Sequence, residues 1–163
     1  MKTRTGIALQ ICVVSLILVA GCSQEAPPTE ASRNMLNEAK TPEEFFDLYV
    51  KLAHAFDPDA ADLYADNAVI RNTRIYPGGR NRTMNMPAPK YKELIRKSMP
   101  LAKERGDTSS YRNVTFTQED RGVRIMAIRH SNLKNYDSPI SILISQTESG
   151  QWLIVEEISQ SQP

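Results

Sequence analysis

The sequence predicts an α+β domain in which N-terminal helices pack on one face of a curved antiparallel sheet. Three observations predict it: a capped stretch from Thr41 to Phe56 with apolar residues at helical spacing, a second helical stretch from about Pro87 to Arg105, and β-rich runs between Tyr111 and Ser159. Helices first and consecutive hairpins afterwards is the order of a domain that gathers its helices on one side of a sheet.

Before that domain, Lys2 and Arg4 precede an apolar run from Ile7 to Ala20, broken only by Gln10 and Ser15, and small residues follow. Basic charge, a short greasy helix and a small-residue cleavage site make a secretory signal. The run is shorter than the roughly 20 apolar residues that span a bilayer. Leu18-Val19-Ala20-Gly21-Cys22 resembles the lipobox of bacterial lipoproteins. That resemblance implies cleavage before Cys22, lipidation of its thiol and anchoring of the mature chain by several acyl chains, which is stable where one chain is not. An ordinary secretory signal ending in Gly-Cys is the other reading. Ser23 after the cysteine, with no aspartate there, points by the same resemblance to the outer membrane of a two-membrane cell, facing the periplasm. The expected organisation is a signal at 1–21, a lipidated cysteine and polar, proline-bearing tether at 22–40, and one domain at 41–163.

Composition narrows the function. Of the 20 Lys and Arg, two leave with the signal, so 18 remain against 19 Asp and Glu. That near-neutral balance lacks the basic excess of a nucleic-acid-binding chain. Of the two cysteines, Cys12 lies in the signal and Cys22 is the lipidation site, so the domain has neither a disulfide nor a thiolate metal site. The remaining length, about 140 residues, suits one domain with its own core.

Within the domain, Thr41-Pro42-Glu43-Glu44 is a capping box with proline at the first helical position. Phe45, Leu48, Tyr49, Leu52, Ala53 and Phe56 then mark a buried helix face. Asp57-Pro58 caps a short second helix ending near Tyr64, and Ala68 to Arg71 reads as a first strand. Tyr76 to Met86, with Pro77-Gly78-Gly79, reads as an exposed loop. The helix from about Pro87 to Arg105 is expected to bury Tyr91, Leu94, Ile95 and Met99, to stop at Gly106 and to be kinked or split by Pro100. Tyr111–Glu119, Val123–Asn132, Pro139–Thr147 and Gln151–Ser159 follow as hairpin strands, with Ile140, Ile142 and Ile144 alternating against Ser141 and Ser145.

Leu63-Tyr64-Ala65-Asp66-Asn67-Ala68-Val69-Ile70, the later Leu94-Ile95-Arg96 and the ending Gly150-Gln151-Trp152-Leu153-Ile154-Val155-Glu156-Glu157 resemble the nuclear transport factor 2-like superfamily (SnoaL-like, cystatin-like cone). The resemblance covers nearly all of Thr41 to Gln160 and implies a cone with a central pocket. It also implies a range of activities from isomerases, dehydratases, epoxide hydrolases and cyclases to non-catalytic binding or dimerisation modules. Fold does not choose among these.

An enzyme of this kind needs ionisable groups in an apolar pocket. His130, sharing a strand face with Met126 and Ile128 while Arg129 points the other way, is the one catalytic candidate, beside the plainer reading of a histidine at the sheet rim. Tyr49 and Tyr91 are candidate ligand-orienting donors, and His54 reads as exposed. Two separated histidines do not make a metal site, so no metal and no cofactor is expected. Asp66-Asn67 reads as a turn. Glu156 and Glu157 face opposite sides of the last strand, so only one can line a pocket. Arg71, Arg74, Arg80 and Arg82 are a candidate clamp for a carboxylate or phosphate, or simply a solubilising set. Trp152, Tyr111 and Phe116 read as sheet packing. The expected function is a membrane-anchored, non-catalytic module for a small ligand, an envelope protein or a second copy of itself. The alternative is a small isomerase, dehydratase or hydrolase using the cone pocket.

Overall fold

The computed structural model describes residues 30–163, with side chains from residue 34 onward. The signal, Cys22 and the tether as far as residue 29 lie outside the described residues. Helix α1 (Glu30–Glu38), α2 (Pro42–Ala55), a 3-10 helix (Pro58–Leu63) and α3 (Ala88–Arg105) accompany six strands, β1 (Tyr64–Ile75), β2 (Asn81–Pro87), β3 (Ser109–Glu119), β4 (Gly122–Ser131), β5 (Tyr136–Gln146) and β6 (Trp152–Ser161). This is an α+β architecture with one sheet in the order β2-β1-β6-β5-β4-β3. Neighbouring strands are antiparallel except β1 and β6, which run parallel and depart from the all-antiparallel expectation.

The start of α2 follows its sequence closely. Thr41 Oγ1 accepts from Glu44 N at 3.2 Å, and Glu44 Oε2 accepts from Thr41 N at 3.1 Å. These bonds satisfy backbone donors that the first helical turn leaves open. Phe45, Phe46 and Leu52 are buried from this helix. The folded part also reaches back before Thr41: Leu36 and Ala39 are 4% and 6% exposed and belong to the core. Trp152 Nε1 donates to Lys40 O at 3.2 Å and ties that segment to β6. Met35, Leu36 and Ala39 in a polar stretch carry too weak a pattern to show this packing in sequence.

The expected loop from Tyr76 to Met86 is instead the turn and second strand of a hairpin. β1 runs on to Ile75 and pairs with β2 from Val69↔Pro87 to Ile75↔Asn81. Tyr76 N donates to Arg80 O at 2.8 Å across a turn whose Gly78 and Gly79 have φ of 84° and 80°, a region glycine enters without steric cost. β2 is an edge strand, largely exposed, in which only Met84 and Met86 are half-buried, so its alternation is too short to identify a strand in sequence. Asp66 and Asn67 lie inside β1, where its register against β6 shifts between Tyr64 and Val69, and not in a free turn.

Helix α3 ends at Gly106, in the left-handed conformation, and continues through the exposed Pro100 without splitting. Its packed face carries Tyr91, Lys92, Ile95 and Met99, whereas Leu94 is 47% exposed. The buried Lys92 ammonium donates to Asp66 Oδ1 at 2.6 Å. Core residues Ile70, Ile125, Ile142 and Ile154 line the sheet face that the helices cover. That covered side is the inner face, and the site lies on it.

Candidate functional site

Strand pairing decides which side chains meet on the inner face, because residues directly opposite in neighbouring strands point to the same side. Ile70, Glu157, Ile142, Ile125 and Phe116 form one line across β1, β6, β5, β4 and β3. Glu157 thus stands among core isoleucines and is 3% exposed. A carboxyl group there needs hydrogen bonds to offset lost hydration. It has two: Tyr64 Oη donates to Oε2 at 2.5 Å and Tyr91 Oη donates to Oε1 at 3.2 Å. The two rings meet edge to face with centroids 5.2 Å apart.

Beside this trio lies an aromatic wall. Phe46 packs against Tyr49, Tyr111 and Phe116, and the Tyr49 and Tyr111 centroids are 6.0 Å apart. Burial pushes the Tyr49, Tyr64 and Tyr91 hydroxyls well above the ordinary tyrosine range, since a phenolate there loses hydration, and repulsion from Glu157 adds to the shift. Burial raises Tyr111 as well, opposed by Tyr49 and Arg129. These hydroxyls therefore stay protonated and act as donors around neutral pH.

Further along the inner face, Asn72 Nδ2 donates to Ser159 Oγ at 3.0 Å, and Ser161 Oγ donates to Asn72 Oδ1 at 2.9 Å. Arg129 Nη2 makes long contacts of 3.4 Å to Tyr136 Oη and 3.3 Å to Gln160 O. The inner face thus carries phenol donors and a carboxyl acceptor at one end and guanidinium groups toward the other. No imidazole joins this set among the described residues.

The two histidines are engaged elsewhere. His130 is on the outer face, opposite the covered side, where Nδ1 lies 2.9 Å from Asp137 Oδ1. Arg112 makes two further bonds to the same carboxylate, at 2.8 and 2.7 Å, and with His130 holds it well below the usual carboxylate range. The inward member of the pair is Arg129, so the candidate base His130 is outside the pocket. β4 carries apolar residues on both sides, Met126 and Ile128 against Val123, Ile125 and Ala127, and the tertiary fold buries the second set. His54 is exposed, with Nε2 2.7 Å from Ser109 O. No group of three or more His, Cys, Asp or Glu among the described residues is placed to hold a metal ion.

Tyr49 and Tyr91 belong to the inner cluster. The arginine set divides: Arg74 shares the inner side with Ile70 and Asn72, whereas Arg71 points outward and donates to Asn85 Oδ1 at 3.3 Å. Arg82 lies opposite Arg74 on β2, and Arg80 is exposed in the turn. Glu156 and Glu157 do face opposite ways, the first accepting from Arg124 Nη1 at 2.5 Å on the outer side. Tyr64, Arg129 and Ser138 were not singled out by sequence. The available signals were an acidic residue in an apolar strand and the residue next to His130, and each needs the sheet register to be read.

No protein-family model and no curated protein matches the chain. Solved structures do match it in fold. An association domain of calcium/calmodulin-dependent protein kinase type II kind from Thiobacillus denitrificans aligns at 13% identity over 74% of this chain and 94% of that one, with a TM-score of 0.53. A variant of a protein named Rd1NTF2_05 aligns at 13% identity over 75% of this chain and 98% of that one, with a TM-score of 0.51. An NTF2-like protein with a cystatin-like fold from Novosphingobium aromaticivorans aligns at 17% identity over 80% of this chain and 86% of that one, with a TM-score of 0.48. The architecture is the nuclear transport factor 2-like cone.

Proposed function

We propose that this chain is an envelope lipoprotein, anchored through Cys22, whose cone binds a small organic ligand on its inner face. The observation that carries the binding reading is the inner cluster itself: Glu157 held by Tyr64 and Tyr91 beside the Phe46, Tyr49 and Tyr111 wall. A core that needed only stability would be served as well by apolar residues, because buried polar networks cost desolvation. Convergent polar groups in an aromatic surround are what a ligand pocket uses to orient its guest. With His130 on the outer face, the catalytic version that used it as base loses its geometry. The anchor, the tether and a place at the outer membrane rest on the N-terminal sequence alone.

Native mass spectra of the protein, extracted gently from its own host's membranes, test the reading. The expected result is a chain beginning at Cys22 with added acyl mass and a retained small molecule, which Glu157→Gln releases. An unmodified N-terminus removes the anchor, and a chain that never carries a ligand removes the pocket function.

One observation favours a second reading as a protein-interaction module. The outer face carries an apolar groove of Met126, Ile128, Pro139 and Ile158, with Met126 54% exposed. A dimer without bound small molecule in the same spectra would favour it.

A further inference from the structure

The strand register draws one more line across the inner face. Arg82 is opposite Arg74, Arg74 is opposite Ser161, Ser138 is opposite Arg129, and Arg129 is opposite Tyr111. Continuing the β5–β6 register from Ile140↔Ser159 sets Ser161 beside Ser138, so each strand gives one residue to the line. It lies four residues along β1 and β6 from the Ile70↔Glu157 pair. At about 3.3 Å per strand residue that is roughly 13 Å.

Two donors in this line lack acceptors. Ser138 is 4% exposed and its Oγ is buried without a hydrogen-bond partner, as is Arg74 Nε. Neither Arg74 nor Arg129 has an ion-pair partner among the described residues, and the Arg129 contacts go to uncharged oxygens at 3.3 Å or more. Three other arginines of the domain are paired: Arg96 with Asp62 at 2.6 Å, Arg112 with Asp137 at 2.7 Å and Arg124 with Glu156 at 2.5 Å. Buried polar groups in folded proteins are satisfied as a rule. A set of cationic and hydroxyl donors left open together fits an oxyanion, which accepts several charge-assisted bonds at once.

We propose that the inner face binds an organic anion, its carboxylate or phosphate head held by Arg74, Ser138 and Arg129 and its apolar body against Tyr49 and Tyr111. This rests on reading the inner face as the ligand site and adds the charge and orientation of the guest. Glu157, an acceptor at the far end, directs the anionic head away from itself.

The test uses the full chain in nonionic detergent, with benzoate, phenyl phosphate, benzyl alcohol and inorganic phosphate as probes in calorimetric titration and thermal melts. Benzoate or phenyl phosphate is expected to bind at least about tenfold tighter than benzyl alcohol, a difference of about 1.4 kcal/mol. Whichever binds tighter identifies the head. Arg129→Gln and Ser138→Ala should each remove most of that preference. Ser138→Ala is the decisive variant, because the hydroxyl has no partner to lose, so the melt without ligand should not fall. Benzyl alcohol binding as tightly as both anions overturns the proposal, and if Glu157→Gln weakens that binding the ligand site itself stands. Inorganic phosphate binding as tightly as phenyl phosphate overturns the organic body. If no probe binds, the anion site falls, and if the membrane-extracted protein also carries no small molecule the pocket function falls with it.

Discussion

The Tyr64 hydroxyl donates a 2.5 Å hydrogen bond to Glu157, which lies 93 positions later in the chain. The bond joins the first strand to the last at their parallel junction and fills one acceptor site of a carboxyl group that is 3% exposed. Tyr64→Phe leaves that oxygen short of a donor in the core, and such a change costs about 1–3 kcal/mol. The expected outcome is a lower midpoint in urea denaturation. Adding Glu157→Leu to Tyr64→Phe should recover part of the loss, since an apolar pair no longer strands a polar group. An unchanged midpoint in Tyr64→Phe would show that the bond contributes nothing to stability.

Stability should fall on the alkaline side through the buried tyrosines. Tyr49, Tyr64, Tyr91 and Tyr111 are held in the folded state above the ordinary tyrosine value of 10.0, chiefly by burial. A raised value means that the unfolded chain releases these protons first. Their contribution is complete below pH 10 and disappears as pH rises toward the folded values. Phenolate absorbance recorded together with circular dichroism should show these tyrosines ionising as the domain unfolds. Their ionisation at the ordinary value in a folded domain would contradict the inner-face geometry.

The outer face governs the acid side. Asp137 is depressed from 3.8, first by Arg112 and then by His130, so its contribution is present above that value and disappears as pH falls below it. Asp137→Asn should therefore flatten the acid limb of the stability curve and leave ligand affinity unchanged, as the inner face is on the other side of the sheet. A loss of ligand affinity in Asp137→Asn would tie His130 and its partner to the site after all.

Gly122 is a position with no freedom. Its φ is 143°, and a Cβ added there would lie 1.9 Å from Ile144 O of the neighbouring strand. The atom in the way is backbone, so relief requires moving β5. Gly122→Ala should cost more than the approximately 1 kcal/mol of an ordinary glycine exchange, at least about 3 kcal/mol. A thermal melt shifted by only a few degrees would argue against this hairpin geometry.

The sequence by itself determined the elements whose causes are local. The Thr41–Glu44 box, the Asp57 cap, the Gly106 stop and the β3-to-β6 hairpins follow from neighbours a few residues apart, and the element order they set is that of an α+β domain. It also determined that Glu156 and Glu157 diverge, because strand parity is local. Only the tertiary structure decided which parity faces inward. β4 is apolar on both sides, so its own pattern does not distinguish Arg129 from His130, and the helices settle the matter by covering one face. β2 was hidden for a related reason: in a largely exposed edge strand, Met84 and Met86 by themselves make too short a period to detect. The site depends on these non-local choices: Tyr64, Tyr91, Arg129 and Glu157 come from separate elements, and it is the pairing of β1 with β6 and the packing of α3 that bring Tyr64 and Tyr91 to Glu157.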